Sequence, residues 1–295
     1  MEGTASTSST TPVGSAQRVA LVANAGSRSC DPDLCAERLR AFGAEVEPFA
    51  IDELERAVAA GADRLVVAGG DGSIAPPAAA AGRAGLALAL LPAGTANDFA
   101  RRMGLPLELS AAARLAVCGT QVKQLELGWM DERPFVNVAS AGLPGPAART
   151  AKAWKKPLGA VGYAAGALVA GATAKALSVK VSCDDGALFE GEAWQVTVAA
   201  SGAFGAGSHI READPHDGEL EVIAVDAGPR LGLVAVAYRL RRGNLGGYRR
   251  SRHARCRRAT LEVPGLTEFN VDGEVVESGP AQFRGEADAF SLVVG

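Results

Sequence analysis

The 295-residue sequence is poor in cysteine: Cys30, Cys35, Cys118, Cys183 and Cys256 are odd in number, and no two lie closer than five residues. That spacing excludes a disulfide framework and a C-x-x-C zinc site, and it points to reduced thiols in a cytoplasmic protein. An excess of positive charge is lacking too. Lys and Arg total 30 against 33 Asp and Glu, so a globally basic nucleic-acid binder is excluded, although a local basic patch is not. No long hydrophobic run exists. The longest weakly charged apolar stretch, 157–174, is rich in Gly and Ala and too short to cross a bilayer. Residues 1–17 have neither the basic start nor the apolar core of a secretory signal and read as a disordered tail. Neither G-x-x-x-x-G-K-S/T nor G-x-G-x-x-G occurs, which removes support for P-loop and Rossmann dinucleotide sites. His209, His216 and His253 share no metal-site spacing and read as surface or loop residues.

What is present is periodic apolar sequence punctuated by glycine. Short apolar runs at 18–23, 64–68 and 86–91 read as strands, and 44–49 could be another. Helical stripes at 33–42 and 51–60, and a helix starting near Asp98, alternate with them. Strands and helices in that alternation predict a parallel sheet with helices on both faces. The second half differs. Strands are predicted at 122–128, 134–140, 178–183, 193–200, 219–225, 259–263, 268–271 and 289–294, interrupted by helices only near 152–175 and 230–241. The fold class is therefore α/β plus β. A parallel α/β domain spans 18–128 and a β-rich domain spans 129–295, with the last strand free to return to the first domain.

Two Gly-rich turns follow predicted strands of the first domain, where an open α/β sheet binds its ligands. The first is Gly69-Gly70-Asp71-Gly72-Ser73. Glycines let main-chain N–H groups face a polyphosphate at close range. Asp71 would repel a bare phosphate, so its place there makes sense if a divalent cation bridges the two. The second turn is Pro92-Ala93-Gly94-Thr95-Ala96-Asn97-Asp98. Thr95 or Asn97 can cap the helix that follows, and a helix N-terminus attracts anions. Asp98 again implies a cation or a hydroxyl partner. Each turn alone is also what an unliganded strand–helix connection looks like; the pair on neighbouring strands is the stronger signal.

With GGDGS at 69–73 and LPAGTANDFARRMGLP at 91–106, the chain resembles the diacylglycerol kinase catalytic-domain family, which includes bacterial lipid kinases and sphingosine kinases and is more distantly related to NAD kinases. LELGW at 125–129, FVNVASAGL at 135–143, DPHDGELEVIAV at 214–225 and VDGEV at 271–275 extend the resemblance in order along the chain. The resemblance implies a nucleotide-binding α/β domain, a β-sandwich domain and an active site in the cleft between them. It implies transfer of the γ-phosphate of ATP, with Mg2+, to the hydroxyl of diacylglycerol or a related lipid alcohol.

The resemblance also assigns roles by position. Asn24, Gly69, Gly70, Asp71, Gly72, Ser73, Gly94, Thr95 and Asn97 would line the nucleotide. Asp98 would join the magnesium network, with Arg101 and Glu126 as a supporting ion pair. Asp217 matches a structural metal position. Asp272 and Glu274 match the site of the catalytic base, with Asp71 completing the catalytic set. Read without the resemblance, Asp272-Gly273 is a favoured β-hairpin turn. The sequence departs from the family pattern at Ala75-Pro76-Pro77, in the early turn at 24–28 and at Leu143-Pro144-Gly145-Pro146. A degenerate nucleotide-binding regulator and a kinase of a soluble hydroxyl compound stay open as alternatives.

Residues 239–258 contain nine Arg and no acid. They suit an anionic leaflet, which gives a cytoplasmic enzyme a peripheral membrane association with its lipid substrate; a solvated charged loop is the plainer reading. Lys152, Lys155 and Lys156, ahead of the apolar 158–169 segment, are a second candidate membrane element, or the charged start of a core helix. With only Tyr238 and Tyr248 near the Arg run, nucleic acid is not expected as a partner. A homodimer is left open.

Overall fold

The computed structural model describes residues 10–15, 17–24, 31–142, 175–184, 186–204 and 208–295. The chain divides into two compact units, Met1–Leu127 with Ala287–Gly295, and Gly128–Glu286. In the first unit the elements run Thr10–Pro12 (β1), Arg18–Ala23 (β2), Pro32–Arg40 (α1), Glu45–Ala50 (β3), Leu54–Ala59 (α2), Arg64–Gly69 (β4), Ala75–Ala84 (α3), Ala87–Pro92 (β5), Asp98–Arg102 (α4), Leu109–Cys118 (α5) and the start of Gln121–Met130 (β6).

Strands β5, β4, β2 and β3 lie side by side in that order, all parallel. Ser291 and Leu292, near the end of the chain, add a further parallel partner beside Ala87 and Leu88. Alternate strand residues (Val19, Leu21, Ala23, Val66, Ala68, Ala89, Leu91) share a core with α1 and α5. The intervening residues Ala20, Val22, Leu65, Val67, Leu88 and Leu90 are buried as well, and α2 and α3 pack on each other and on β2 and β5. Burial on both faces is why β2, β4 and β5 read as apolar runs, while the edge strand β3 is largely exposed. Arg64 opens β4 fully buried, and its guanidinium donates to the carbonyls of Ala116 (2.7 Å) and Gly119 (2.6 Å). It thereby satisfies the carbonyl end of α5, where a cation also meets the helix dipole favourably.

Several expectations change here. The stretch 51–60 is a single 3-10 turn, Ile51–Glu53, followed by the shorter helix α2. Helices α3 and α5 were not expected. Yet Leu109, Ala112, Ala113, Ala116 and Val117 make a helical stripe, and Glu108 caps it by accepting from the N–H groups of Ser110 and Ala111. Within the stretch read as a disordered tail, Thr10–Pro12 pair antiparallel with Gln121–Lys123. The unpaired backbone edge of β6 recruits them, a cause that composition does not register.

The second unit contains the end of β6, then Arg133–Phe135 (β7), Val138–Gly142 (β8), Leu177–Cys183 (β9), Gly186–Ala199 (β10), Ala203–Phe204 (β11), Ser208–His209 (β12), Leu220–Asp226 (β13), Gly232–Arg241 (α6), Ser251–Cys256 (β14), Arg258–Glu262 (β15), Thr267–Val271 (β16), Glu274–Ser278 (β17) and the start of Ala281–Val294 (β18). Its ladders are antiparallel. The first half of β10 pairs with β9, which leads through β15 to β18. Its second half pairs with β8 and β13, which lead to β16 and β17 and to β14. Between the ladders lies a core in which Phe283 meets Phe135 and Phe269, with ring centroids 6.5 and 6.3 Å apart.

The strand expected at 134–140 is broken into β7 and β8, for a reason given below. Part of the basic stretch is the strand β14. The helix expected near 152–175 lies outside the described residues. Among those that are described, no helix is long and apolar enough to cross a membrane.

Candidate active site

Three strand ends of the first unit meet at one place. Strand β4 ends at Gly69, and Asp71–Ser73 form a 3-10 turn that leads into α3. Strand β5 ends at Pro92, and the Ala93 N–H donates to the Gly69 carbonyl at 2.9 Å. The two turns are then nearly in contact. A Cβ on Gly94 would stand 2.5 Å from the Gly70 Cα, and one on Gly70 would stand 3.1 Å from the Gly94 Cα. A side chain at 94 would have to displace the facing backbone, and one at 70 would be tight. Strand β2 joins through Asn24, whose Nδ2 donates to Ser73 Oγ at 2.9 Å.

Asp71 fastens the two turns together. Its Oδ2 accepts from the Asp98 N–H (3.1 Å) and its Oδ1 from the Phe99 N–H (2.9 Å), so the first turn caps the helix that the second turn starts. Asn97 had been a candidate for that cap. Instead it takes the left-handed conformation (φ 50°), and its amide group closes the second turn, accepting from the Gly94 N–H at 2.9 Å and donating to the Gly94 carbonyl at 3.0 Å. Thr95 makes no cap either and is exposed. Gly69, Asp71, Ile74, Pro92, Asn97 and Ala100 line a concavity at these strand ends. Ala75-Pro76-Pro77 form the first turn of α3 without breaking it, since proline is tolerated where the N–H has no helical partner.

Arg101 is exposed and donates from Nε to the Ala96 carbonyl at 3.1 Å, whereas Glu126 is buried. Among the described residues the ion pair expected between them is not formed.

In the second unit, β16 and β17 are joined by Asp272-Gly273, with φ of 48° and 93° and Val271 opposite Glu274. Two positive φ values give the hairpin turn that Asp-Gly favours. The Asp272 carboxylate accepts three backbone N–H groups, from Val136 (2.7 Å), Asn137 (2.9 Å) and Val138 (3.0 Å). Turning these amides toward one carboxylate is what interrupts the strand expected at 134–140. Glu274 is exposed and paired with Arg133 at 3.5 Å.

Asp217 lies in a separate cluster of that unit. Its Oδ1 accepts from the Glu219 N–H at 2.8 Å, and its Oδ2 from the guanidinium of Arg255. Arg255 also reaches Glu219 (2.7 Å) and Glu221 (3.8 Å), and Glu221 is hydrogen-bonded to His253. Burial holds the Asp217 carboxyl above the usual carboxylate range. At the position the resemblance gives to a structural metal, Asp217 is thus paired with a guanidinium. His253, read as a surface or loop residue, lies exposed on β14, and the Glu221 hydrogen bond raises its pKa above the ordinary 6.5.

For Mg2+ at the strand-end turns, the donor set decides. Among the described residues no group of three His, Cys, Asp or Glu side chains converges to hold a metal ion. Asp71 and Asp98 offer two carboxylates at most, so a cation there would have to take its remaining ligands from phosphate and water, the usual habit of Mg2+.

Comparison with known proteins agrees with this organisation. Residues 18–130 match the diacylglycerol kinase catalytic domain, and residues 137–294 match the YegS C-terminal NAD kinase beta sandwich-like domain. A Pseudomonas putida protein named probable lipid kinase YegS-like is 32% identical over 240 residues, covering 80% of this chain and 78% of its own. A diacylglycerol kinase of Staphylococcus epidermidis is 27% identical over 252 residues, covering 82% and 78%. The crystal structure of a candidate diacylglycerol kinase from Bacillus anthracis superposes with a TM-score of 0.74 over 95% of this chain and 98% of that one, at 22% identity, and so shares the fold. The chain belongs to the diacylglycerol kinase and YegS family of lipid kinases.

Proposed function

We propose that the protein transfers the γ-phosphoryl group of ATP to the hydroxyl of diacylglycerol or a related lipid alcohol. The observation that carries this reading is the Asp71 tie between the two Gly-rich turns, which sets glycine backbone and a helix start side by side at the ends of parallel strands. Such a place is built for phosphate, because oriented N–H groups carry fixed partial positive charge. In this reading Gly70, Gly72 and Gly94 let the triphosphate lie against main chain, and Asn24, Ser73, Thr95 and Asn97 border it. Asp71 and Asp98 would hold Mg2+, which neutralises phosphate charge when bound.

Phosphoryl transfer asks mainly for positioning and charge neutralisation. The acceptor oxygen attacks the γ-phosphorus, the bond to the β–γ bridging oxygen breaks, and ADP leaves. The hydroxyl proton needs an acceptor, and the reading gives that role to Asp272, whose carboxylate is fixed by three amides. Incubation with γ-labelled ATP and a panel of lipid alcohols in mixed micelles tests the proposal. Label in an extractable lipid, lost in Asp272→Asn, is the expected result. Label that stays in water-soluble products across the whole panel overturns it.

A further inference from the structure

The helix α6 is apolar on two opposite faces. Leu233, Val236 and Leu240 are buried and pack into a core with Trp194, Ile210 and Ile223. On the other side, Val234 and Tyr238 are 56% and 57% exposed, and Leu231, just before the helix, is 86% exposed. At 3.6 residues per turn these three form one outward stripe, and Arg241 and Arg242, both exposed, continue it. The Arg242 guanidinium lies 4.9 Å from the centre of the Tyr238 ring, so charge and apolar surface share one patch. Three of the six large hydrophobic side chains exposed among the described residues lie on this one turn-and-helix. A surface helix ordinarily turns polar residues outward.

We propose that this face docks on an anionic bilayer, with Leu231, Val234 and Tyr238 set among the upper acyl chains and Arg241 and Arg242 on the headgroup phosphates. Charge complementarity selects the occupant. No Asp or Glu lies between Asp226 and Glu262; of the ten Arg there, Arg250 and Arg255 pair with Asp226 and with Asp217 and Glu219, while Arg241 and Arg242 give the helix face its positive charge, which suits an anionic surface. An amphipathic helix rich in Arg at its rim, with Leu, Val and Tyr at its centre, has the make-up of one that lies in the interface plane. Choosing a bilayer over a protein partner rests on the lipid-kinase reading. The test needs neither ATP nor turnover, so the two can fail separately.

The full chain is floated with vesicles of phosphatidylcholine alone and of phosphatidylcholine and phosphatidylglycerol in equal parts. Binding to the mixed vesicles, weakened by salt, is expected. Val234→Ser with Tyr238→Ser should lower the partition coefficient at least about tenfold. Arg241→Gln and Arg242→Gln should lower it about fivefold each and flatten the salt dependence. All four side chains are exposed, so the variants should keep the wild-type melting temperature. Wild-type protein that does not float, or variants that float as well as wild type, would overturn the proposal. So would a dimer in buffer that the Ser variants dissociate, because a second copy would then cover the face.

Discussion

Asp71 and Asp272 have similar local tasks in the two units and very different surroundings. Each sits in a Gly-containing turn and gathers backbone N–H groups from a distant segment. Asp71 takes two, from the start of α4, while Asp272 takes three, from the junction of β7 and β8. Around Asp71 the neighbours are glycine backbone and a concavity at parallel strand ends. Around Asp272 they are the strands of an antiparallel hairpin. An aspartate that organises backbone is therefore common to both units, and its setting decides what it can serve. At the strand ends the organised backbone can take an anion. In the hairpin it holds one carboxylate in a fixed position.

The comparison can be broken from its strongest side first. Asp272→Ala leaves three amides without their acceptor and should cost roughly 2–4 kcal/mol, at about 1–3 kcal/mol for each group that stays dry. Thermal melts should show it as the least stable of these variants. Gly94→Ala drives a methyl group into the Gly70 backbone and should cost about 1–3 kcal/mol, with nucleotide affinity in calorimetry falling further than stability does. Asp71→Asn sets an amide donor against the Asp98 or Phe99 N–H and removes about 1–2 kcal/mol of capping. An Asp71→Asn protein as unstable as Asp272→Ala would erase the distinction between two amides and three.

Smaller effects sharpen the picture away from both turns. His253 has a folded pKa above its ordinary 6.5 because Glu221 accepts its hydrogen bond, with burial opposing. Its contribution to stability is therefore complete below pH 6.5 and is lost as pH rises through the folded value. His253→Gln should remove that decline in melts taken from pH 6 upward, and an unchanged profile would show that the pair contributes nothing. Least of all, Glu274→Gln breaks an exposed pair with Arg133 and should move stability by no more than about 0.5 kcal/mol. A labelled-ATP assay that stays near wild type in Glu274→Gln but collapses in Asp272→Asn would leave Asp272 alone in the catalytic role.

Much of the first unit was legible because β2, β4 and β5 are buried on both faces and its turns use glycine where backbones touch. The spacing between GGDGS and AGTAND does not reveal that Asp71 caps the second turn's helix; that depends on β4 and β5 lying side by side, and Asn97 looked the better cap locally. Helix α5 had both a stripe and a capping Glu108. Helix α3, by contrast, hides in an alanine-rich run with two prolines, where apolar and neutral residues give little period. In the second unit, the Asp272-Gly273 hairpin followed from local turn chemistry. The break at Val136–Val138 did not, because its cause is 134 or more residues away. The partner of Asp217 was hidden for a similar reason: Arg255, which pairs with its carboxylate, arrives from β14, 38 residues later.

The central claim is that the turns at 69–73 and 94–98 are where nucleotide phosphates bind. Hydrogen exchange of the full chain with and without Mg·ATP tests it most directly. The account expects peptides containing 69–73 and 94–99 to exchange more slowly when nucleotide is present, with that protection gone in Gly94→Ala. Protection confined to other segments, with both turns unchanged, would contradict it.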